Sequence, residues 1–116
     1  MTAKIRHITF DSRDSYALSK FWTEVTGWKE DPDDPNLPEH SENLIQAPDG
    51  SLALLFVNVP EPKTVKNRVH LDLGPDSTRE EEVDRLLRVG ATLISDHRQT
   101  EPPYRGFVVL ADPEGN

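Results

Sequence analysis

The chain has 116 residues, room for one domain at roughly 100–150 residues each, and none of its apolar runs approaches the ~20 residues of a membrane-spanning helix. Its 21 acidic residues outweigh 13 basic ones for a net charge of −8, so nucleic acid and anionic membranes are excluded as expected partners by repulsion. Cysteine is absent, which excludes disulfides, thiolate metal sites and cysteine nucleophiles; the opening Met1-Thr2-Ala3-Lys4-Ile5 lacks the apolar stretch of a signal peptide, and a cytoplasmic location is expected.

In chain order, residues 4–11 alternate as a strand does, with Ile8 and Phe10 on one face and His7, Thr9 and Asp11 on the other. Residues 12–26 predict a helix: Leu18, Phe21, Trp22 and Val25 form one apolar stripe and Gly27 stops it. Pro32, Pro35 and Pro38 make residues 31–40 a surface loop. Two strands, 43–47 and 51–59, flank the turn Pro48-Asp49-Gly50. The run Leu52-Ala53-Leu54-Leu55-Phe56-Val57 is apolar on both faces, which predicts a strand buried on both sides.

A second series follows Pro60-Glu61-Pro62-Lys63. Residues 68–73 predict a strand with Val69, Leu71 and Leu73 on one face and Arg68, His70 and Asp72 on the other. After Gly74-Pro75-Asp76, Ser77 and Glu80 have capping-box spacing and open a helix with the stripe Val83, Leu86 and Leu87, ended by Gly90. Strands are expected at 91–95 and 106–111, separated by a loop at Glu101-Pro102-Pro103 and closed by Asp112-Pro113-Glu114-Gly115. The order of elements thus repeats. His7 and His70 each precede a helix-ending glycine by 20 positions, and Ala47-Pro48-Asp49-Gly50 has its counterpart in Asp112-Pro113-Glu114-Gly115. By this repeat a last strand should follow Gly115, so the 116 residues are expected to be an incomplete second half.

Chemically, His7 and His70 are the main signal. Two histidines are a partial metal set that normally needs a carboxylate as well; the alternative is two solvated strand residues bonded to neighbours such as Asp11 and Asp72. His40 and His97 read as solvated loop residues, Glu80-Glu81-Glu82 as helix-start charge, and Trp22 as core. Neither a Gly-rich phosphate loop nor a Gly-x-Ser-x-Gly elbow is present.

The string His7-Ile-Thr-Phe, Asp14, Phe21-Trp22 and Gly27, followed by Lys66-Asn67-Arg68-Val69-His70-Leu71-Asp72-Leu73 and Asp112-Pro113-Glu114-Gly115-Asn116, resembles the vicinal oxygen chelate superfamily. The match is to its glyoxalase-like domains, grouped with bleomycin-resistance proteins and dioxygenases, and covers essentially the whole chain. The resemblance implies an α+β fold of two βαβββ modules whose curved mixed sheet surrounds a cup. Residues 1–116 would form one such domain from pseudo-repeats 1–65 and 66–116, with the last strand absent. It implies that His7 and His70 are the first-strand ligands of a divalent metal (zinc, nickel, iron or manganese), if one is bound. At the matching last-strand position of the first module stands Leu54, which cannot ligate. Leu54 and Phe56 are therefore expected as an apolar cup wall, Asp72 beside His70, and Tyr104 and Arg105 at the polar rim, all as substrate contacts. No catalytic base is identified. The resemblance implies a small organic ligand, a homodimer, and either a metal-dependent lyase- or isomerase-type enzyme or a metal-free binder that sequesters an antibiotic.

Overall fold

The apolar pattern of the first half builds a helix laid on a small sheet. A computed structural model describes all 116 residues. It has the mixed α+β character expected, with element order β1 (His7–Ser12), α1 (Ser15–Thr26), β2 (Glu42–Gln46), β3 (Ala53–Asn58), α2 (Arg79–Val89), β4 (Thr92–Asp96) and β5 (Val108–Ala111). The chain divides into two compact units, Met1–Lys63 and Thr64–Asn116. None of its helices is long and apolar enough to cross a membrane.

In the first unit, α1 opens at Ser15 rather than Ser12 because Asp14 takes the N-cap, its carboxylate accepting from the Ala17 N–H at 3.0 Å. Gly27, at φ 72°, ends the helix in the left-handed conformation that glycine adopts without a Cβ clash. The sheet has the order β1-β3-β2, with β3 parallel to β1 and antiparallel to β2. The helix lies across all three strands. Leu18, Phe21 and Trp22 are buried with Ile45, Leu54 and Phe56, each such side chain stabilising the unit by about 1.5–3 kcal/mol. Phe10 stacks on Trp22 at 5.6 Å and on Phe56 at 5.4 Å between ring centroids. The full burial expected of β3 holds throughout on the helix side; on the opposite face Ala53 is buried but Leu55 and Val57 are only half-buried.

The outer edge of β2 is covered from the proline-rich segment. The Gln46 N–H donates to the Lys29 carbonyl at 2.9 Å. The Asn36 side chain accepts from the Leu44 N–H and donates to the Leu44 carbonyl, each at 2.9 Å, as a neighbouring strand would. Buried Asn43 fixes the same segment: it accepts from the Leu37 N–H at 3.0 Å and donates to the Ser15 hydroxyl at 2.9 Å.

In the second unit, α2 is capped by Thr78 and Glu81 rather than Ser77 and Glu80. Both pairs have the required spacing, but it is Thr78 that stands in extended backbone and accepts from the Glu81 N–H at 3.2 Å. Arg79, at the helix start, donates to the carbonyls of Tyr104 at 3.3 Å and Gly106 at 3.1 Å. Gly106 is at φ 108°, and a Cβ there would lie 2.0 Å from the His97 carbonyl oxygen. Strands β4 and β5 form an antiparallel pair with an irregularity between Leu93 and Ser95.

The strand expected at 68–73 is corrected: this segment belongs to no ladder. Alternation alone does not make a strand, because each backbone N–H and C=O needs a partner. Its counterpart β1 finds that partner in β3.

Candidate functional site

Strand parity sorts the candidate residues of the first unit. Side chains alternate between faces along a strand and agree across a paired row. In the register, Ile8 pairs Leu54 and Phe10 pairs Phe56, while His7 pairs Ala53, Thr9 pairs Leu55 and Asp11 pairs Val57. Leu54 and Phe56, expected as a wall beside His7, therefore belong to the helix face, where they are 2% and 0% exposed. This corrects their placement: the residues of β3 that share the His7 face are Ala53, Leu55 and Val57. An apolar run on both faces gave no sequence signal of which set faced which way; the pairing with β1 supplies it.

Continuing across β2, the face consists of three rows: His7-Ala53-Gln46, Thr9-Leu55-Leu44 and Asp11-Val57-Glu42. The central strand contributes only apolar side chains. The strands beside it, each about 5 Å away, contribute an imidazole, a hydroxyl, an amide, two carboxylates and the apolar Leu44. Such a surface offers contact area to an apolar body and hydrogen bonds to polar groups on either side of it.

His70 lies in the second unit, in the unladdered segment. Its Nε2 is 3.2 Å from the carbonyl oxygen of Asn67, whose own amide donates to the Val69 carbonyl at 2.8 Å. The imidazole thus meets backbone oxygen three residues back rather than Asp72. Tyr104 is exposed with φ 56° in the loop between β4 and β5; its N–H donates to the Glu101 carbonyl at 2.9 Å, and the Arg105 carbonyl accepts from the Gln99 N–H at 2.8 Å.

Tyr104 also borders an open cleft of about 1020 Å³, with Arg79, Glu80, Asp96, Arg98 and Gln99. Sequence reading did not find this cleft. Its charges are paired internally, Arg79 with Glu80 and Arg98 with Asp96, each at 2.6 Å. The Arg98 hydrogen bonds hold the Asp96 carboxyl down at about 2, and those of Arg79 lower Glu80. A free charge for an outside ligand is therefore lacking in this set.

The most specific motif has a structural explanation. The Asp112 side chain is buried, and its Oδ1 accepts from the N–H groups of Glu114 and Asn116, both at 2.9 Å. The Asn116 amide adds bonds to the same carboxylate at 3.3 and 3.1 Å. Asp-Pro-Glu-Gly-Asn is thereby the closure of a tight turn.

Three or more His, Asp or Glu side chains are nowhere grouped so as to hold an ion. In the first unit the neighbours of His7 across the sheet are Ala53 and then Gln46.

Comparison with known proteins agrees with this architecture. The family model of the glyoxalase-like domain matches residues 7–116. A glyoxalase/bleomycin resistance protein/dioxygenase family enzyme from Burkholderia phytofirmans PsJN is similar in structure with a TM-score of 0.68 at 22% identity, over 98% of this chain and 94% of that one. A fosfomycin resistance protein from Mesorhizobium loti gives 0.68 at 16% identity, over 98% and 86%. A glyoxalase-related enzyme from Fulvimarina pelagi gives 0.64 at 19%, over 99% and 84%. At these identities the likeness is one of fold. No curated protein sequence matches the chain.

Proposed function

Since the chain belongs to the glyoxalase-like domain family, we propose that it binds a small organic molecule on the sheet face that carries His7. The observation behind this reading is the three-row arrangement, an apolar central strand continued by Leu44 and flanked by polar side chains on both neighbouring strands. Leu55, Val57 and Leu44 would take the apolar body of the ligand. Thr9, Gln46 and the carboxylates of Asp11 and Glu42 would select its polar groups, with His7 able both to donate and to accept. In the second unit, His70, Asp72, Tyr104 and Arg105 are proposed as contact residues of that unit's own surface. The form proposed is a metal-free binder that removes its ligand from solution, and a homodimer is the proposed assembly.

The test uses fosfomycin, bleomycin and a fragment panel as probes, with amide shifts of the labelled protein as readout. Binding is expected to perturb His7, Thr9, Leu55 and Val57 together, and Leu55→Asp is expected to weaken it by about tenfold or more through the loss of apolar contact. Perturbations that avoid those four residues overturn the proposed face. The same samples titrated with zinc, nickel and manganese separate the enzyme reading. Stoichiometric metal, lost in both His7→Ala and His70→Ala, would replace the metal-free form by a metal-dependent lyase or isomerase.

A further inference from the structure

The row that begins at His7 does not end on β2. Lys29 and Gln46 form an antiparallel bridge, closed by the bond from the Gln46 N–H to the Lys29 carbonyl at 2.9 Å. Residues opposite one another in such a bridge carry their side chains on the same face. Gln46 stands in register with Ala53 and His7, so Lys29 is the fourth member of that row. Local sequence gives no sign of this, because Lys29 lies outside the named strands and joins the row only through the bridge.

Lys29 gives the face an electrical direction. Adjacent rows are two residues apart along each strand, so the first and third are separated by about 13 Å. The first carries the Lys29 ammonium beside the His7 imidazole. The third carries the carboxylates of Asp11 and Glu42, one on each side of Val57, and Thr9, Leu55 and Leu44 lie between. Lys29, His7, Asp11 and Glu42 are all exposed, and none of the four is engaged in an ion pair. The cleft of the second unit is the opposite case, since its charges neutralise one another at 2.6 Å. On the His7 face opposite charges stand apart at the two ends of an apolar surface.

Resting on the reading of this face as the binding surface, we propose that its ligand is an elongated zwitterion and that Lys29 sets this preference. The ligand has an apolar body of about 10 Å, short enough for side chains to reach in from both end rows. Its anionic group meets Lys29 and His7, and its ammonium group lies between Asp11 and Glu42. Such a molecule forms charge-assisted hydrogen bonds at both ends without displacing an internal partner. A body with one charge satisfies one end only, and an anion at the Asp11 and Glu42 end is repelled, so discrimination comes from repulsion as well as attraction.

The test uses three probes of equal length, 8-aminooctanoic acid, octylamine and octanoate, titrated into the labelled protein with amide shifts as readout. The zwitterion is expected to bind about fivefold more tightly than either singly charged probe, the effect of one exposed ion pair. Lys29→Gln is expected to bring it level with octylamine, and Asp11→Asn combined with Glu42→Gln level with octanoate. Unchanged amide protection of β3 in these variants is the check on folding. Equal affinity for the three probes, with shifts at His7, Thr9, Leu55 and Val57, overturns the zwitterion while leaving the face as the binding surface. A preference that survives in Lys29→Gln overturns the role of Lys29. Shifts that avoid those four residues with every probe overturn the face itself, and the proposal with it.

Discussion

The two units repeat an order of parts and differ in what pairs: the first holds a three-stranded sheet, the second a two-stranded one. In Met1–Lys63, β3 joins β1 to β2, and Leu54 and Phe56 on it complete the apolar layer under α1. In Thr64–Asn116 the hairpin strands β4 and β5 pair only with each other, Leu93 and Ile94 are exposed, and the counterpart of β1 is left without a ladder. The difference teaches where the stability of such a module resides. A first strand and a second, unpaired strand are each marginal until a central strand bonds to both of them.

Removing the side chain at the centre of the complete layer is the strongest way to break the comparison. Phe56→Ala is expected to destabilise the first unit by about 3–5 kcal/mol through lost burial and the cavity left between Phe10 and α1, read as a fall in the denaturation midpoint. A loss under 1 kcal/mol would mean that β3 is not what holds this unit together. A smaller effect is expected at the covered edge. Asn43→Ala leaves the Leu37 N–H and the Ser15 hydroxyl without their partner, a cost of about 1–3 kcal/mol, visible as faster amide exchange at Leu37. The smallest effect sharpens the second unit. Asp96 is held at about 2 by Arg98, below the ordinary 3.8, so the stability it contributes is present above about pH 4 and is lost as pH falls through about 2. Its carboxyl resonance should titrate near 2 and return towards 3.8 in Arg98→Gln; the exposed pair itself is worth little at neutral pH.

Much of this was legible in the sequence, and the exceptions have physical causes. The stripe Leu18, Phe21, Trp22 marked α1 correctly, since helical periodicity and buried face coincide there. The face assignment of β3 was not legible, because Leu54-Leu55-Phe56-Val57 is apolar in both parities and only the register against Ile8 and Phe10 decides. The Thr78 cap was hidden by a neighbour with the same spacing, and the strand at 68–73 by a rule that reads side chains while hydrogen bonding needs a second backbone. Among the candidate site residues, alternation placed His7, Thr9 and Asp11 on one face, whereas Leu44, Gln46 and Glu42 join them only through the antiparallel pairing with β3. The arginine links from Arg79 to the Tyr104 and Gly106 carbonyls left no trace in local sequence, because they join residues 25 and 27 positions apart.

The stacked ring of Trp22 has a practical consequence. Both tryptophans, Trp22 and Trp28, lie in the first unit, and the second has none. Indole emission is therefore an intrinsic gauge of one half of the molecule, whereas far-ultraviolet circular dichroism sums the two helices. Superimposing the two melting curves reads out, without any label, whether the halves of this chain come apart together or in turn.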